Sequence, residues 1–279
     1  MSVTPVFSHA NMNRDATNSI DEESPLLGRN AANGGNPDRW TAKHLSSYMG
    51  SNVNRNYADV VLILCYIITG LLDSSAIFIW GSFVSMQTGN TVYLGLGMVA
   101  PSEGIRWIKA GVSIAAFCFG SFCFARFHRY FSPSKRWVLI ASYTFQALLI
   151  AVAAIIATFG KNTKEGLHWQ VLVPLASVAF QSSGQAVTSR ALKYNGLTSV
   201  VLTSNYCDLF SDPALFKMSN VERNRRTCAP LALLTGACVG GLFAHSSVGL
   251  AGSLWTAVGL KMMAVVAWVF WKSEALDAL

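Results

Sequence analysis

Charge is scarce in this sequence. Asp, Glu, Lys and Arg make up 13% of its 279 residues, while 52% are hydrophobic; soluble domains carry roughly 25% charged residues. The charges are also segregated into an N-terminal tail and short clusters between long apolar stretches, so a soluble-domain reading does not fit. Metal spacing is missing as well: His9, His44, His128, His168 and His245 are scattered. Cys65, Cys118, Cys123, Cys207, Cys228 and Cys238 include no CxxC pair and lie in or beside apolar segments. They read as small apolar packing residues, neither a disulfide framework nor a zinc site. There is no Gly-x-x-x-x-Gly-Lys-Ser/Thr, so ATP hydrolysis by the chain itself is not expected. There is no signal-peptide core near the start, so cleavage of the tail is not expected either. The net charge of +7 would suit a nucleic acid. The basic residues, however, border apolar stretches, where cytoplasmic flanks accumulate Lys and Arg. No nucleic-acid partner, cofactor or metal is expected.

What the chain does have is apolar length. Apolar segments run over about 58–80, 82–100, 107–127, 137–159, 169–189, 197–210, 229–248 and 250–271. A helix of about 20 apolar residues crosses the bilayer core and satisfies its own backbone there. Six segments are long enough. Segment 197–210 is too short. Segment 82–100 begins with Ser82-Phe-Val-Ser-Met-Gln87, which alternates like a strand, before Thr88-Gly-Asn90 reads as a helix start. The expected fold is an all-α polytopic membrane protein with about six transmembrane helices and two broken or re-entrant elements. Residues 1–56 read as a disordered cytosolic tail, 57–272 as a transmembrane domain in halves of about 57–160 and 165–272, and 273–279 as a short C-terminal tail.

The two unusual segments echo each other. Gly81-Ser-Phe-Val-Ser-Met-Gln-Thr-Gly-Asn90 and Gly196-Leu-Thr-Ser-Val-Val-Leu-Thr-Ser-Asn205 both read Gly, six residues, Thr, a small residue, Asn. Each follows a helix with a polar stripe: Thr69 and Asp73 in the first, Gln181, Gln185 and Thr188 in the second. This is either an internal repeat of about 110 residues or a coincidence of residues common in membrane helices. Charge favours the repeat. If all eight segments span, Lys and Arg divide eight against six across the membrane. If 82–100 and 197–210 re-enter, ten fall on one side, in 126–136, 190–193 and 217–226, and Arg106, Lys109, Lys161 and Lys164 on the other. The positive-inside rule selects the second arrangement. It also makes the halves inverted, a transporter-like plan.

Three sets of residues are candidates for function. Asp73 is a carboxylate inside the first span, so it reads as a hydrogen-bonded structural residue or as a solute or proton site. Lys261 lies too near the middle of the last span to snorkel. Asp73 is its expected partner in a charge pair, with Asp208 the second choice. The Thr88-Gly89-Asn90 and Thr203-Ser-Asn205 elements read as half-helix starts, whose free N–H groups favour an anion or polar ligand, or else as tight turns. The expected substrate-binding set is Asp73, Thr88, Gly89, Asn90, Gln185, Thr203 and Asn205, converging on one cavity. Extended backbone must be paired inside the protein, so 82–87 and 197–202 are expected to pair as two short strands. Ala232, Gly236, Gly240 and Ala244 recur every four residues and read as a helix-packing face.

In the tail, Glu22-Glu-Ser-Pro-Leu-Leu27 fits an acidic dileucine sorting signal built on Glu22, Leu26 and Leu27. It implies a sorting adaptor as partner and an endosomal or vacuolar membrane. Gly70-Leu-Leu-Asp73 followed by Phe83-Val-Ser-Met-Gln-Thr-Gly-Asn-Thr91 resembles the YoaK family, domain of unknown function 1275, in its fungal-type form. The likeness covers roughly residues 57 to 272. Gln181-Ser-Ser-Gly-Gln185 also resembles the family, with Ala186 and Ser204 departing from its pattern. The resemblance implies about six spans in an inner membrane or endomembrane, and no substrate. The expected function is a secondary transporter of a small polar or anionic solute, not an enzyme, with the bilayer and that solute as partners. A non-transporting scaffold and an intramembrane enzyme are the alternatives.

Overall fold

The structure, a computed structural model, describes residues 37–160, 166–217 and 219–274. Among these residues it has nine α-helices and no strand. They are α1 (Pro37–Gly50), α2 (Ala58–Ile79), α3 (Gln87–Val99), α4 (Arg106–Phe131), α5 (Arg136–Phe159), α6 (Trp169–Ala191), α7 (Thr203–Phe210), α8 (Val221–Ala244) and α9 (Gly249–Phe270). The chain is an all-α polytopic membrane protein. Helices α2, α4, α5, α8 and α9 are each long and apolar enough to cross a membrane. The sixth expected span, α6, has 23 residues, about 34 Å of helix. It is less apolar because Gln181, Ser182, Ser183, Gln185, Thr188 and Ser189 lie along it, and all six are buried in the protein rather than turned outward. Exposed Leu96, Phe119, Phe122, Leu148, Leu231, Leu242 and Val266 present the apolar flank that a bilayer covers.

The tail differs from expectation. Glu22, Leu26 and Leu27 lie outside the described residues, but the chain is already helical from Pro37. Residues 51–54 are tied down. Val53 N–H donates to Ser134 O (2.8 Å), and Glu274 N–H donates to Asn52 O (2.8 Å). Arg136, fully buried, donates from Nη1 to Val269 O (2.8 Å) and from Nη2 to Trp271 O (2.6 Å), so it caps carbonyls left free at the end of α9.

These contacts sort the helix ends. The starts of α2, α5 and α8 and the finishes of α4, α6 and α9 share one end. There Tyr194 Oη donates to Arg55 O (2.8 Å) and Arg225 pairs with Asp59 (2.8 Å). At the other end, Lys109 Nζ donates to Trp80 O (3.2 Å), Phe78 stacks near His245 (4.7 Å) and Trp255 Nε1 donates to Thr158 Oγ1 (3.1 Å). The Lys and Arg residues of 126–136, 190–193 and 217–226 belong to the first end. Arg106 and Lys109 belong to the second, and Lys161 and Lys164 lie outside the described residues.

The packing repeats itself. Helix α2 lies along α8, and α6 along α4. Helix α3 packs on α4, and α7 on α8. Helix α2 touches α9 as α6 touches α5, while α5 and α9 lie along each other. Exchanging α2, α3, α4, α5 for α6, α7, α8, α9 leaves this pattern unchanged, and α2 and α6 run in opposite directions. The chain is therefore an inverted repeat, shifted by the 115 residues that separate Gly81 from Gly196. The Ala232–Gly236–Gly240 face is the seam of α8 against α2. A Cβ on Gly236 would meet the Ile67 carbonyl carbon at 2.8 Å, and one on Gly70 would meet Ala237 N at 2.7 Å. Only glycine allows these backbones to come so close.

Candidate functional site

After α2 the chain turns at Trp80 and Gly81, whose φ of 77° suits glycine. It then runs inward without helix through Met86 and returns as α3. The return is shown by packing along α4. Gln87 and Asn90, at the start of α3, reach Ser113, whereas Gly97, near its end, lies against Trp107. Thirteen residues, about 20 Å, cannot cross the core. The element enters and leaves at one end. The second element does the same from the opposite end. Residues 197–202 dip to the level of Gln185, and α7 returns toward the start of α8, where Arg226 Nη1 donates to Asp208 O (3.5 Å). The half-helices begin at Gln87 and Thr203, at the two Thr-small-Asn elements.

The expected strand pair does not form. Among the described residues no backbone hydrogen bond joins 82–87 to 197–202. Side chains replace it. Phe83 N–H donates to Asn90 Oδ1 (3.0 Å), and Phe83 O accepts from Asn90 Nδ2 and Ser113 Oγ (both 2.8 Å). Val84 N–H and Ser85 N–H donate to Asp73 Oδ1 (2.8 and 3.0 Å), and the Ser85 hydroxyl donates to Oδ2. Val84 O accepts from Gln87 Nε2 (3.1 Å) and lies 2.9 Å from Ser182 Oγ. Each extended peptide group from 83 to 85 thus finds an internal partner. Asp73, 2% exposed, is itself the carboxyl group in front of the α3 start.

Asp73 and Lys261 form no ion pair, a correction to the expected charge pair. Lys261 Nζ donates to Gln146 Oε1 (2.6 Å) and sits 4.9 Å from the Tyr143 ring centre. The reason is the repeat: Gln146 stands 115 residues before Lys261, so the two are equivalent positions meeting where α5 crosses α9. From Gln146 a buried polar line continues to Ser142 (3.2 Å), His128 (3.4 Å) and Thr188 (3.2 Å). Sequence reasoning missed it because its members lie on four helices. Asp208, the other nominated partner, is exposed on α7.

The second half is less completed than the first. Gln185 Nε2 reaches Ser199 Oγ (3.0 Å), Thr69 Oγ1 (3.1 Å) and Cys65 O (3.3 Å), so Gln185 and the 197–202 segment do meet α2. Ser199, at φ 60°, is held in a left-handed conformation that a serine adopts at a cost. Yet Gln185 Oε1 and both side-chain polar atoms of Gln181 and Asn205 are buried with no hydrogen-bond partner among the described residues. Shifted by 115 residues, Asp73, Gln87 and Ser113 fall on Thr188, Leu202 and Cys228. The groups that complete Asn90 and the α3 start are thereby absent around Asn205 and α7. No carboxylate accepts from the α7 start among the described residues. Of the expected set, Asp73 and Asn90 gather on the first element, whose α3 start carries Thr88 and Gly89; Gln185 meets the second, whose half-helix carries Thr203 and Asn205. Asp73 lies on α2 and Gln185 on α6, while Thr88 and Thr203 are exposed and do not turn into a shared cavity as expected. A cavity of about 730 Å³ lies instead at the end where Trp80, Gln170 and Leu250 meet.

Residues 61–267 match the family described as Protein of unknown function (DUF1275). No curated protein and no solved structure matches the chain.

Proposed function

The chain belongs to the DUF1275 family, which is the YoaK family, and from that premise and the site geometry we propose that it is a secondary transporter of a small polar or anionic solute. One observation carries the reading. The α7 start has no carboxylate before it among the described residues, its Asn205 is buried, and the buried amides of Asn205, Gln181 and Gln185 have atoms that lack partners. A helix start favours an anion, and unpaired buried amides favour a polar ligand. In the first half Asp73 meets that demand; in the second a solute meets it. Two re-entrant elements entering from opposite ends give each side of the membrane its own approach to the α2–α6 interface, the geometry that alternating access uses. The basic end faces the cytosol. The reading includes no catalytic step, and it places the protein in an endosomal or vacuolar membrane through Glu22, Leu26 and Leu27.

The test is uptake into proteoliposomes of a panel of phosphate, sulfate, small carboxylates, amides and polyols. At least one solute moves. Asn205→Ala slows it about tenfold, the scale of one lost buried hydrogen bond. Thr188→Asp supplies the missing internal anion and abolishes uptake of anionic members. Folded protein that moves no member of the panel overturns the reading in favour of a non-transporting scaffold.

A further inference from the structure

Helices α4 and α5 follow one another in the chain but scarcely touch. Helix α4 lies along α6, and α5 along α9 and α6. The wedge left between them is a slot of about 290 Å³, walled by Cys123, Phe124 and Phe127 of α4 and Ala141, Ser142 and Phe145 of α5, with Phe180 of α6 at its floor. Phe124, Phe145 and Phe180 pack mutually, with ring centres 5.6 to 6.2 Å apart. The one polar wall group, the Ser142 hydroxyl, is engaged by His128 and Gln146. The slot opens sideways, where Phe145 is 47% exposed, and on that flank the surrounding solvent is acyl chain.

At the basic end of α4 a second space of about 510 Å³ is bounded by Arg126, Phe127, Arg129 and Tyr130, and Phe127 lines both spaces. Cys123 to Tyr130 covers two turns, about 10 Å. Arg126 lies over the Phe122 ring (5.1 Å) and Arg129 Nε donates to Ala125 O (3.3 Å). Among the described residues neither guanidinium meets a carboxylate. An apolar slot with a cationic mouth at the membrane surface matches an amphiphile with its tail toward the bilayer centre.

We propose that the slot and its mouth form a binding site for one anionic glycerophospholipid of the leaflet at the basic end, with an acyl chain between α4 and α5 and the phosphate at Arg126 and Arg129. Charge complementarity selects the occupant: both mouth cations lack an internal counter-ion, and basic pockets between membrane helices bind anionic headgroups. The site is independent of the solute reading and stands whether or not the protein transports.

The test is native mass spectrometry of the full-length protein released from nanodiscs of mixed phosphatidylglycerol and phosphatidylcholine. One phosphatidylglycerol is retained in preference to phosphatidylcholine. Arg126→Gln and Arg129→Gln each weaken its retention about fivefold, while Arg126→Lys with Arg129→Lys keeps it. Ala141→Phe fills the slot and removes retention with the mouth intact. Both arginines are exposed, so the Gln variants keep the fold, and a monodisperse gel-filtration profile checks this. Equal retention of the two lipids overturns the proposal, as does retention unchanged in the Gln variants. A dimer that Ala141→Phe dissociates overturns it in favour of a second copy in the slot.

Discussion

Asp73 and Lys261 are charges that the sequence buries in the bundle, and the protein treats them in opposite ways. Asp73 is surrounded by donors from one loop; Lys261 has a single amide oxygen and the face of a ring. Asp73→Ala strands the buried N–H groups of Val84 and Ser85, and about 1–3 kcal/mol is lost for each, read as a lower thermal midpoint of the purified protein. Because the two side chains share no contact, a double-mutant cycle with Lys261→Ala yields a coupling below about 0.5 kcal/mol. That Asp73 needs a polar setting was legible, since lipid does not accept a carboxylate. Its partners were not legible. Opposite charge is visible in a sequence, whereas three donors on a bent backbone become visible only once the loop has a shape.

At the scale of elements, the places where helix gives way to loop were the most legible feature. Both half-helices begin at the Thr-small-Asn elements, and the short second segment does not span. The strand pairing failed because Asp73, Asn90, Gln87, Ser113 and Ser182 saturate the first loop, leaving it nothing to share with 197–202. The helix Pro37–Gly50 was hidden inside a polar tail whose composition resembles disorder. The glycine face of α8 was read correctly as a packing face, but its partner α2 was not identified, since spacing defines a face and not its neighbour. The crossing makes a sharp test. Gly236→Ala drives a Cβ into the Ile67 peptide and lowers stability by about 1–3 kcal/mol. Gly241→Ala meets open space, so it costs nothing and adds the helix preference of alanine. Equal thermal midpoints for the two variants would count against the close α2–α8 contact.

For the whole molecule, the distribution of Lys and Arg gave the arrangement, because two re-entrant segments were needed to put the positive charges on one side. Ser132, in the turn between α4 and α5, lies at the basic end. Ser132→Cys in a variant lacking native cysteines is shielded from an impermeant thiol reagent in sealed vesicles whose internal face is the cytosolic one, and it reacts once the membrane is opened. Labelling in those sealed vesicles contradicts the orientation. The proposed sorting signal lies in the tail and not in the bundle. Leu26→Ala with Leu27→Ala therefore redirects the protein in fluorescence microscopy without changing its thermal midpoint; unchanged localisation marks the motif as chance.

The packing of α2 on α8, and of α6 on α4, has a historical consequence. Each half contributes its first span to the other half's third element and keeps little contact with its own. A chain of one half alone would leave the Gly70 face of α2 without a companion, so it would have needed a second copy, inserted upside down, to close its fold. Duplication and fusion would then have joined an obligate antiparallel dimer already in existence. The joined halves differ at matching positions: one has Asp73 where the other has Thr188, and one has Gln146 where the other has Lys261. A homodimer, bound to carry every residue twice, has no means of placing a carboxylate in one half and leaving its twin empty.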